Sequence, residues 1–473
     1  MKQITNIKYI VSIVLVGVVL SGGFSSCQLV NKYKSPEMDT DKLFRDKISE
    51  DTTTIASLSW KEYFTDPFLQ SFITEGLENN YDMLIAAERI KQAETQLNVA
   101  KLAYFPDFAL VGNVTHNRYS LDQGGVKNTL GYKTNKYSLG IASTWELDVW
   151  GKINREHRGK KAQYLASLES KNLVQTSLIS NIATIYYSLM ALDEQLFVTH
   201  EMIQILQEST KTMEAMMEAG LLNAAAVEQS KALLYGTQVT VPDLEYNIRQ
   251  LENSLCLLLG RKPGSLTRNK LEVQAVPQQL AFGVPAQMLS NRPDVKAAEL
   301  NFRSAFELTN AARASFYPSI SLSTGSMFGW GAASLSNFFK PENLFANIIG
   351  GLTQPLFARG QLKGQLEIAK AEQEIALIQF EQSVVSAGIE VSDILFQFEK
   401  SLSKNGNRSK QVKSLETSVD FTQELLLAGE ATYTEVLNAE QSLLQAQLGQ
   451  VSDKLEQLQC SVNLYRALGG GVE

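Results

Sequence analysis

Apolar residues recur at every third or fourth position along most of this chain, and at two places the spacing tightens to every second position. In AKLAYFPDFALVGNVTHNRY, from Ala100 to Tyr119, helical spacing runs to Tyr104 and strand-like alternation begins after Pro106. The same change occurs in ARASFYPSISLSTGSMF, from Ala312 to Phe328, around Pro318. The two prolines stand 212 positions apart, and at that offset NVAKLAYFP faces NAARASFYP. Further on, ELDVWGKI faces PLFARGQL, and the pairs Gly151 and Gly360, Gly220 and Gly429, and Gly260 and Gly469 all keep an offset of 209. An ordered set of matches is the mark of a tandem duplication, with a three-residue length difference between the two pairs of strands.

Each copy predicts helix, strand, strand, very long helix, turn and return helix. The first copy occupies 61–262, with strands at about 107–119 and 136–149, a long helix at about 152–219 and a return helix at about 224–260. The second occupies 291–470, with strands at about 319–331 and 343–357, a long helix at about 360–428 and a return helix at about 433–468. A linker over 263–290 joins them. The first long helix contains no proline and would measure roughly 100 Å. Its seam, Leu178, Ile182, Ile185, Leu189, Leu192, Leu196, Thr199, Ile203, Leu206, Thr210, Met213 and Met217, steps by four and three without a fault. That is a narrow coiled-coil stripe, which expects helical neighbours. Gly220 allows the left-handed residue that ends the helix, and Pro242 in TVPDLE is expected to open a fresh helical segment. In the second copy the seam from Leu377 to Phe398 is broken at Ser401, Asn405 and Arg408 and resumes at Val412. SKNGN, Ser403 to Asn407, is therefore expected to distort the helix, a short loop being the alternative.

The strands have two unlike faces. Phe108, Leu110 and Val114 lie opposite Asn113, Thr115 and Asn117. Tyr137, Leu139, Ile141, Trp145, Leu147 and Val149 lie opposite Ser138, Thr144, Glu146 and Asp148. Ile320, Leu322, Phe328 and Trp330 lie opposite Ser319, Ser321 and Ser323, while the fourth strand is apolar on both sides. Long strands with one apolar and one polar face suit a transmembrane barrel with a wet interior, with Trp145 and Trp150 as interface aromatics. A soluble sandwich with one solvated face has the same alternation. Four strands cannot close a barrel, so a barrel must be shared: two chains give a plugged tube, three an open lumen.

Composition narrows the function. The net charge of −7 speaks against a nucleic-acid partner. Three histidines and three cysteines are scattered, with no CxxC, HExxH or GxSxG spacing, so no metal site or catalytic nucleophile assembles locally and the chain is expected not to be an enzyme. Cys256 and Cys460 fall in helical runs as small buried thiols. Residues 1–26 form a targeting segment: Lys2 and Lys8, then YIVSIVLVGVVL, too short to span a membrane, then GGFSSC. The ending resembles a bacterial lipoprotein signal, which implies Cys27 as acylated mature N-terminus and 27–60 as an anchor and extended arm. The basic run REHRGKK, Arg155 to Lys161, is either a solvated helix face or a contact with lipid headgroups.

Along nearly the whole mature length, WKEYFTDPFL, NNYDMLIAAERIKQA, WELDVWGKI, LLLGRKPG, NRPDVKAAE and FYPSISL occur in the order of the TolC and OprM-like outer-membrane efflux proteins. The chain resembles that family, and most of all its lipoprotein branch serving tripartite RND-type efflux. The resemblance implies a mixed α+β, mostly α membrane protein. A homotrimer would share a twelve-stranded β-barrel, four strands per chain, continued by a long periplasmic α-helical coiled-coil barrel. It also implies a lipid-anchored outer-membrane location, a periplasmic adaptor protein, an inner-membrane pump, and no cofactor beyond the lipid on Cys27. Glu435 falls on an acidic position of the family's periplasmic gate, and Asn438 on the next, which is usually Asp. The turns carrying Gly220, Leu221, Gly429 and Glu430 become candidates for adaptor contact by position. The function implied is a passive exit duct for drugs or other small molecules. A duct for protein or peptide secretion is the alternative within the family, and a poreless periplasmic coiled-coil scaffold the alternative outside it.

Overall fold

A computed structural model describes residues 32–38, 43–45, 54–118, 133–276, 283 and 285–472. Cys27 and the rest of the targeting segment lie outside the described residues. The helices are α1 (Trp60–Tyr63), α2 (Pro67–Asn79), α3 (Tyr81–Leu102), α4 (Lys152–Glu218), α5 (Ala224–Leu258), α6 (Pro285–Asn291), α7 (Pro293–Ala314), α8 (Gln361–Ala428) and α9 (Tyr433–Ala467). The strands are β1 (Asp107–Arg118), β2 (Lys133–Leu147), β3 (Ser319–Ala332), β4 (Leu344–Ala346) and β5 (Ile349–Thr353). The chain forms two compact units. One comprises the described parts of 1–37, 99–159 and 303–373; the other those of 38–98, 160–302 and 374–473. No described helix is long and apolar enough to cross a membrane.

The first unit carries an antiparallel sheet in the order β1-β2-β3, with β4 and β5 both paired to β3. Its register gathers the apolar positions onto one face. Leu110 pairs with Ile141 and Ile141 with Phe328; Leu139 pairs with Trp330, Trp145 with Leu322 and Leu147 with Ile320. Asn113 opposite Ser138 and Glu146 opposite Ser321 mark the other face. The register shift between Ile141 and Ser143 keeps this assignment, because Ser143 pairs with Thr324 an even number of residues from Phe328. Phe108, Leu110 and Val114 are exposed in the single chain, at 69%, 74% and 75%. An apolar face that open is built for a covering other than water.

The fourth strand departs from expectation. Instead of one strand over 343–357, two short strands flank Asn347 and Ile348, and pairing ends at Thr353. Pro355 explains the end, since it has no N–H to give a ladder. At the other end of β2, the chain leaves the strand at Leu147 because Asp148 turns to cap α4, its carboxylate accepting from the Ile153 and Asn154 amides at 2.9 and 2.8 Å. Each helix-to-strand switch is fastened by an indole. Trp145 donates to the Tyr104 carbonyl at 2.9 Å, just before Pro106. Trp150 donates to the Pro318 carbonyl at 2.7 Å and stacks on Tyr317. Arg155, the first residue of the basic run, turns inward to Glu307 at 2.6 Å, so it is not a headgroup ligand.

In the second unit, the twelve predicted seam positions of α4 are all buried or half-buried. The early part of α4 also buries Ile179, Ala183, Tyr186 and Met190, so its apolar face there is wider than a coiled-coil stripe. These residues pack with Leu69 and Ile73 of α2, Leu255 of α5 and Leu458 and Val462 of α9. One expectation fails here, and one alternative drops out. α5 runs unbroken through Pro242, which is exposed, so the carbonyl it leaves without a backbone partner faces solvent. α8 stays helical through Ser403 to Asn407, which excludes the short loop. The polar gap in its seam is filled by chemistry: Asp453 of α9, 1% exposed, pairs with Arg408 at 2.9 Å and Lys404 at 2.7 Å. Gln457 of α9 donates to the Ser401 carbonyl at 3.1 Å.

The duplication is visible in the backbone. Gly220 and Gly429 have φ of 75° and 78°, Gly260 and Gly469 of 69° and 88°, and Gly151 and Gly360 of 76° and 78°. One carboxylate fastens the start of this unit. Asp66 caps α2, accepting from the Phe68 and Leu69 amides, and its other oxygen accepts from Tyr186 Oη, Asn269 Nδ2 and Gln274 Nε2 at 2.9, 2.9 and 2.6 Å. It thereby holds α2, α4 and the linker together at a site 5% exposed. Replacing Asp66 by Ala leaves five donors without their acceptor and is expected to cost about 3 kcal/mol. Thermal unfolding in detergent should show a drop of several degrees, with Asp66→Asn falling between mutant and wild type.

Candidate functional site

The predicted site residues cluster at the two turns that close the helical hairpins, α4 to α5 and α8 to α9. Both turns are built alike. Gly220 N–H bonds to the Met217 carbonyl and Leu221 N–H to Met216. Gly429 N–H bonds to Leu426 and Glu430 N–H to Leu425. This is the paired closure of a helix C-terminus, and the glycine supplies the positive φ that an L side chain resists. Gly220, Leu221, Gly429 and Glu430 are all exposed. Beneath the turns, Met213 and Val227 of the first copy pack with Leu426, Val436 and Leu437 of the second, which joins the two hairpins in one apolar layer.

The return helices begin with polar caps at matching positions. Asn223 Oδ1 accepts the Ala226 amide at 3.0 Å at the start of α5. At the start of α9, Glu435 Oε2 accepts the Thr432 amide at 2.8 Å. Glu435 thus has a local structural duty, visible beforehand as T-x-x-E, besides carrying an exposed charge. Asn438 lies one turn further on and is also exposed, so the two share an accessible face. Spacing along the helix gave that much in advance. It did not reveal Glu440, which is fully buried two residues beyond Asn438. Nor did it single out Phe421, Leu425 and Leu427, exposed apolar residues in the last turns of α8.

At the sheet, Glu146 and Asp148 stand at the end of β2. Glu146 pairs with Lys152 at 3.2 Å, both more than a third exposed. Glu156 lies near Glu146 and Asp148; burial holds its carboxyl above the usual range, with Lys152 pulling the other way. Among the described residues no group of three or more His, Cys, Asp or Glu side chains is placed to hold a metal ion. Cys256 and Cys460 are free and buried, and burial pushes the Cys460 thiol up to about 11, far from a reactive thiolate.

A family model described as outer membrane efflux protein matches residues 72–261 and 284–470, one match for each copy of the duplication. The probable outer membrane lipoprotein SilC of Salmonella typhimurium is 27% identical over 454 residues, covering 96% of each chain. The cation efflux system protein CusC of Escherichia coli K12 is 27% identical over 453 residues, covering 94% of this chain and 97% of its own. In solved structures, the outer-membrane channel OprN superposes with a TM-score of 0.87 at 24% identity, over 94% of this chain and all of that one.

The tip turn yields a direct expectation. Gly429→Ala places a Cβ in the left-handed region and should destabilise the turn by about 1 kcal/mol. Amide exchange at Glu430 and Ala431, whose N–H groups bond to Leu425, should quicken about fivefold while the core of α8 stays unchanged.

Proposed function

The chain belongs to the outer membrane efflux protein family, and on that premise we propose that it is the outer-membrane exit duct of a tripartite efflux system. It conducts small solutes passively from an inner-membrane pump and a periplasmic adaptor to the exterior. The observation that carries this reading is the sheet. It has one apolar and one polar face, and β1 and the β4/β5 edge have no further strand beside them among the described residues. In hydrocarbon an unpaired edge costs several kcal/mol per backbone group, so the sheet must be closed by other copies. Three copies give twelve strands and an open lumen. The helices support the same assembly: Ile368, Ile375, Ile378, Val385, Ile389 and Phe396 of α8 are exposed at spacings of seven, three and four, a second seam awaiting a neighbour.

The anchor and the contacts follow. Cys27 carries a covalent lipid, in keeping with SilC's description as a lipoprotein. The arm that would bear it is seated at Tyr33, which packs edge-on to Phe306 and under the Arg303 guanidinium. Six residues from Cys27 to Tyr33 reach at most about 20 Å, which bounds how far the lipid can lie from Tyr33. The exposed turns at Gly220, Leu221, Gly429 and Glu430 are the adaptor contact, and Glu435 with Asn438 lines the gate. Cargo is selected by the pump, because a water-filled lumen contributes little selection among small solutes.

In detergent the protein should sediment as three chains, and in planar bilayers it should conduct. Single chains without conductance would overturn the reading. Glu435→Gln keeps the acceptor for the Thr432 amide and removes the charge. It should lower the cation preference of the pore about two- to threefold without loosening α9, the change expected for removing one ring of fixed charge.

A further inference from the structure

The two tips differ at one pair of matched positions. Between α4 and α5, Glu214 and Lys231 form an ion pair at 3.0 Å, 41% and 31% exposed. Advancing both by the repeat offset of 209 gives Gln423 on α8 and Glu440 on α9. The accessible ion pair has become a neutral amide facing a fully buried carboxyl. Glu440 Oε1 accepts from Gln423 Nε2 at 3.1 Å. Its Oε2 has no hydrogen-bond partner, and the Ser209 hydroxyl of α4 is its other polar neighbour. One side chain of α9 thus reaches both α8 and α4. Apolar layers lie on either side: Val436, with Met213 and Leu426, and Leu443, with Leu206 and Val419.

No charged side chain pairs with Glu440 among the described residues. Along the elements packed against it, Glu208 and Lys211 of α4, Asp420 and Glu424 of α8, and Glu435 of α9 are exposed. Lys231 of α5 is engaged with Glu214 and Glu228. Burial therefore acts on the carboxyl without a compensating cation and raises its pKa; the bonds to Gln423 and Ser209 oppose that shift only in part. A cavity of about 290 Å³ runs along the same place, and both partners line it, together with Glu208, Asp420 and Val436. It is roomy enough for water beside Ser209 and Gln423, the two polar neighbours of the buried carboxyl.

We propose that Glu440 is a protonation-controlled tie at the tip. Neutral, it joins the start of α9 to α8 and α4; ionised, it turns toward the cavity, and the α8–α9 turn loosens while the α4–α5 turn, held by Glu214 and Lys231, does not. The sign is fixed by linkage. A carboxyl whose pKa is raised by packing stabilises the packed form fully below its ordinary value, and that contribution is lost as pH climbs through the raised one. Lower pH therefore tightens this tip, and rising pH releases it. Only the consequence for conduction rests on the duct reading above; the tie itself is a property of the folded chain.

Hydrogen exchange of the intact protein in detergent, expressed as protection factors at about pH 5 and about pH 8, tests it. In the wild type, protection over Tyr433 to Leu443 should fall with rising pH by up to tenfold per unit within the window between the ordinary and raised pKa. Over 214–231 it should stay level. Glu440→Gln should abolish the pH dependence. Gln423→Ala, which removes the one hydrogen bond from Glu440 to α8, should lower protection over Tyr433 to Leu443 already at about pH 5. Level protection in the wild type, or an unaltered pH dependence in Glu440→Gln, would overturn the tie. Bilayer recordings separate the two ideas: a pH-dependent turn with pH-independent conductance supports the tie and sinks the reading of Glu435 and Asn438 as the duct's gate.

Discussion

An unpaired strand edge is tolerable in water and ruinous in a bilayer, and this constraint organises the molecule. The described sheet ends in β1 on one side and in β4 and β5 on the other. Its apolar face carries Phe108, Leu110 and Val114 in the open. One chain can satisfy neither the edges nor the face. A second constraint applies where a helix hands over to a strand: the junction itself must be fixed. The indoles of Trp145 and Trp150, each bonded to a carbonyl at a helix-to-strand switch, meet that need in both copies of the repeat. Each helix-to-strand switch is thereby a hydrogen-bonded corner.

Duplication supplied the architecture, and divergence within it supplied the polar layers. Thr199 of the first copy matches Arg408 of the second, and Leu244 matches Asp453. Thr199 satisfies its hydroxyl within its own helix, on the Gln195 carbonyl. Arg408 instead crosses to α9 and meets Asp453. Glu214 with Lys231 against Gln423 with Glu440 is the same kind of divergence nearer the turns. In each case the backbone frame is kept and the chemistry across the helix pair is rewritten, so the two halves need not respond alike to pH or to salt.

Most of the fold was legible because it is periodic. The α4 seam was read position by position, and the faces of β1, β2 and β3 followed from alternation, because a period of two or of three and a half survives in the sequence unaided. What failed was not periodic. Pro242 stays inside a helix because its neighbourhood is open to solvent, which no local signal reports. Ser401 and Arg408 looked like a fault because their partners, Gln457 and Asp453, lie more than forty residues away. The fourth strand was placed too long because apolar residues on both faces gave no register, and only Pro355 hinted at its end. At the tip, the glycines were legible from the turns and Glu435 from the family resemblance. Glu440 was not, since burial of a polar residue depends on helices brought together from three parts of the chain.

These polar layers also answer a problem that long apolar seams create. A stripe of leucines and isoleucines repeating every three or four residues packs nearly as well after slipping by a heptad, since each knob finds an equivalent hole. For α8 and α9, slip of that kind would carry Asp453 away from both Arg408 and Lys404 and bury it without a partner, at a cost of several kcal/mol. Asp66 does the same for α2 against α4, because Tyr186 Oη, Asn269 and Gln274 converge on one oxygen at a single register only. The net stabilisation from such groups need not be large; what matters is that every alternative alignment is worse. A helix of 68 residues placed to within one turn by apolar contacts is placed to within one residue by a buried carboxylate.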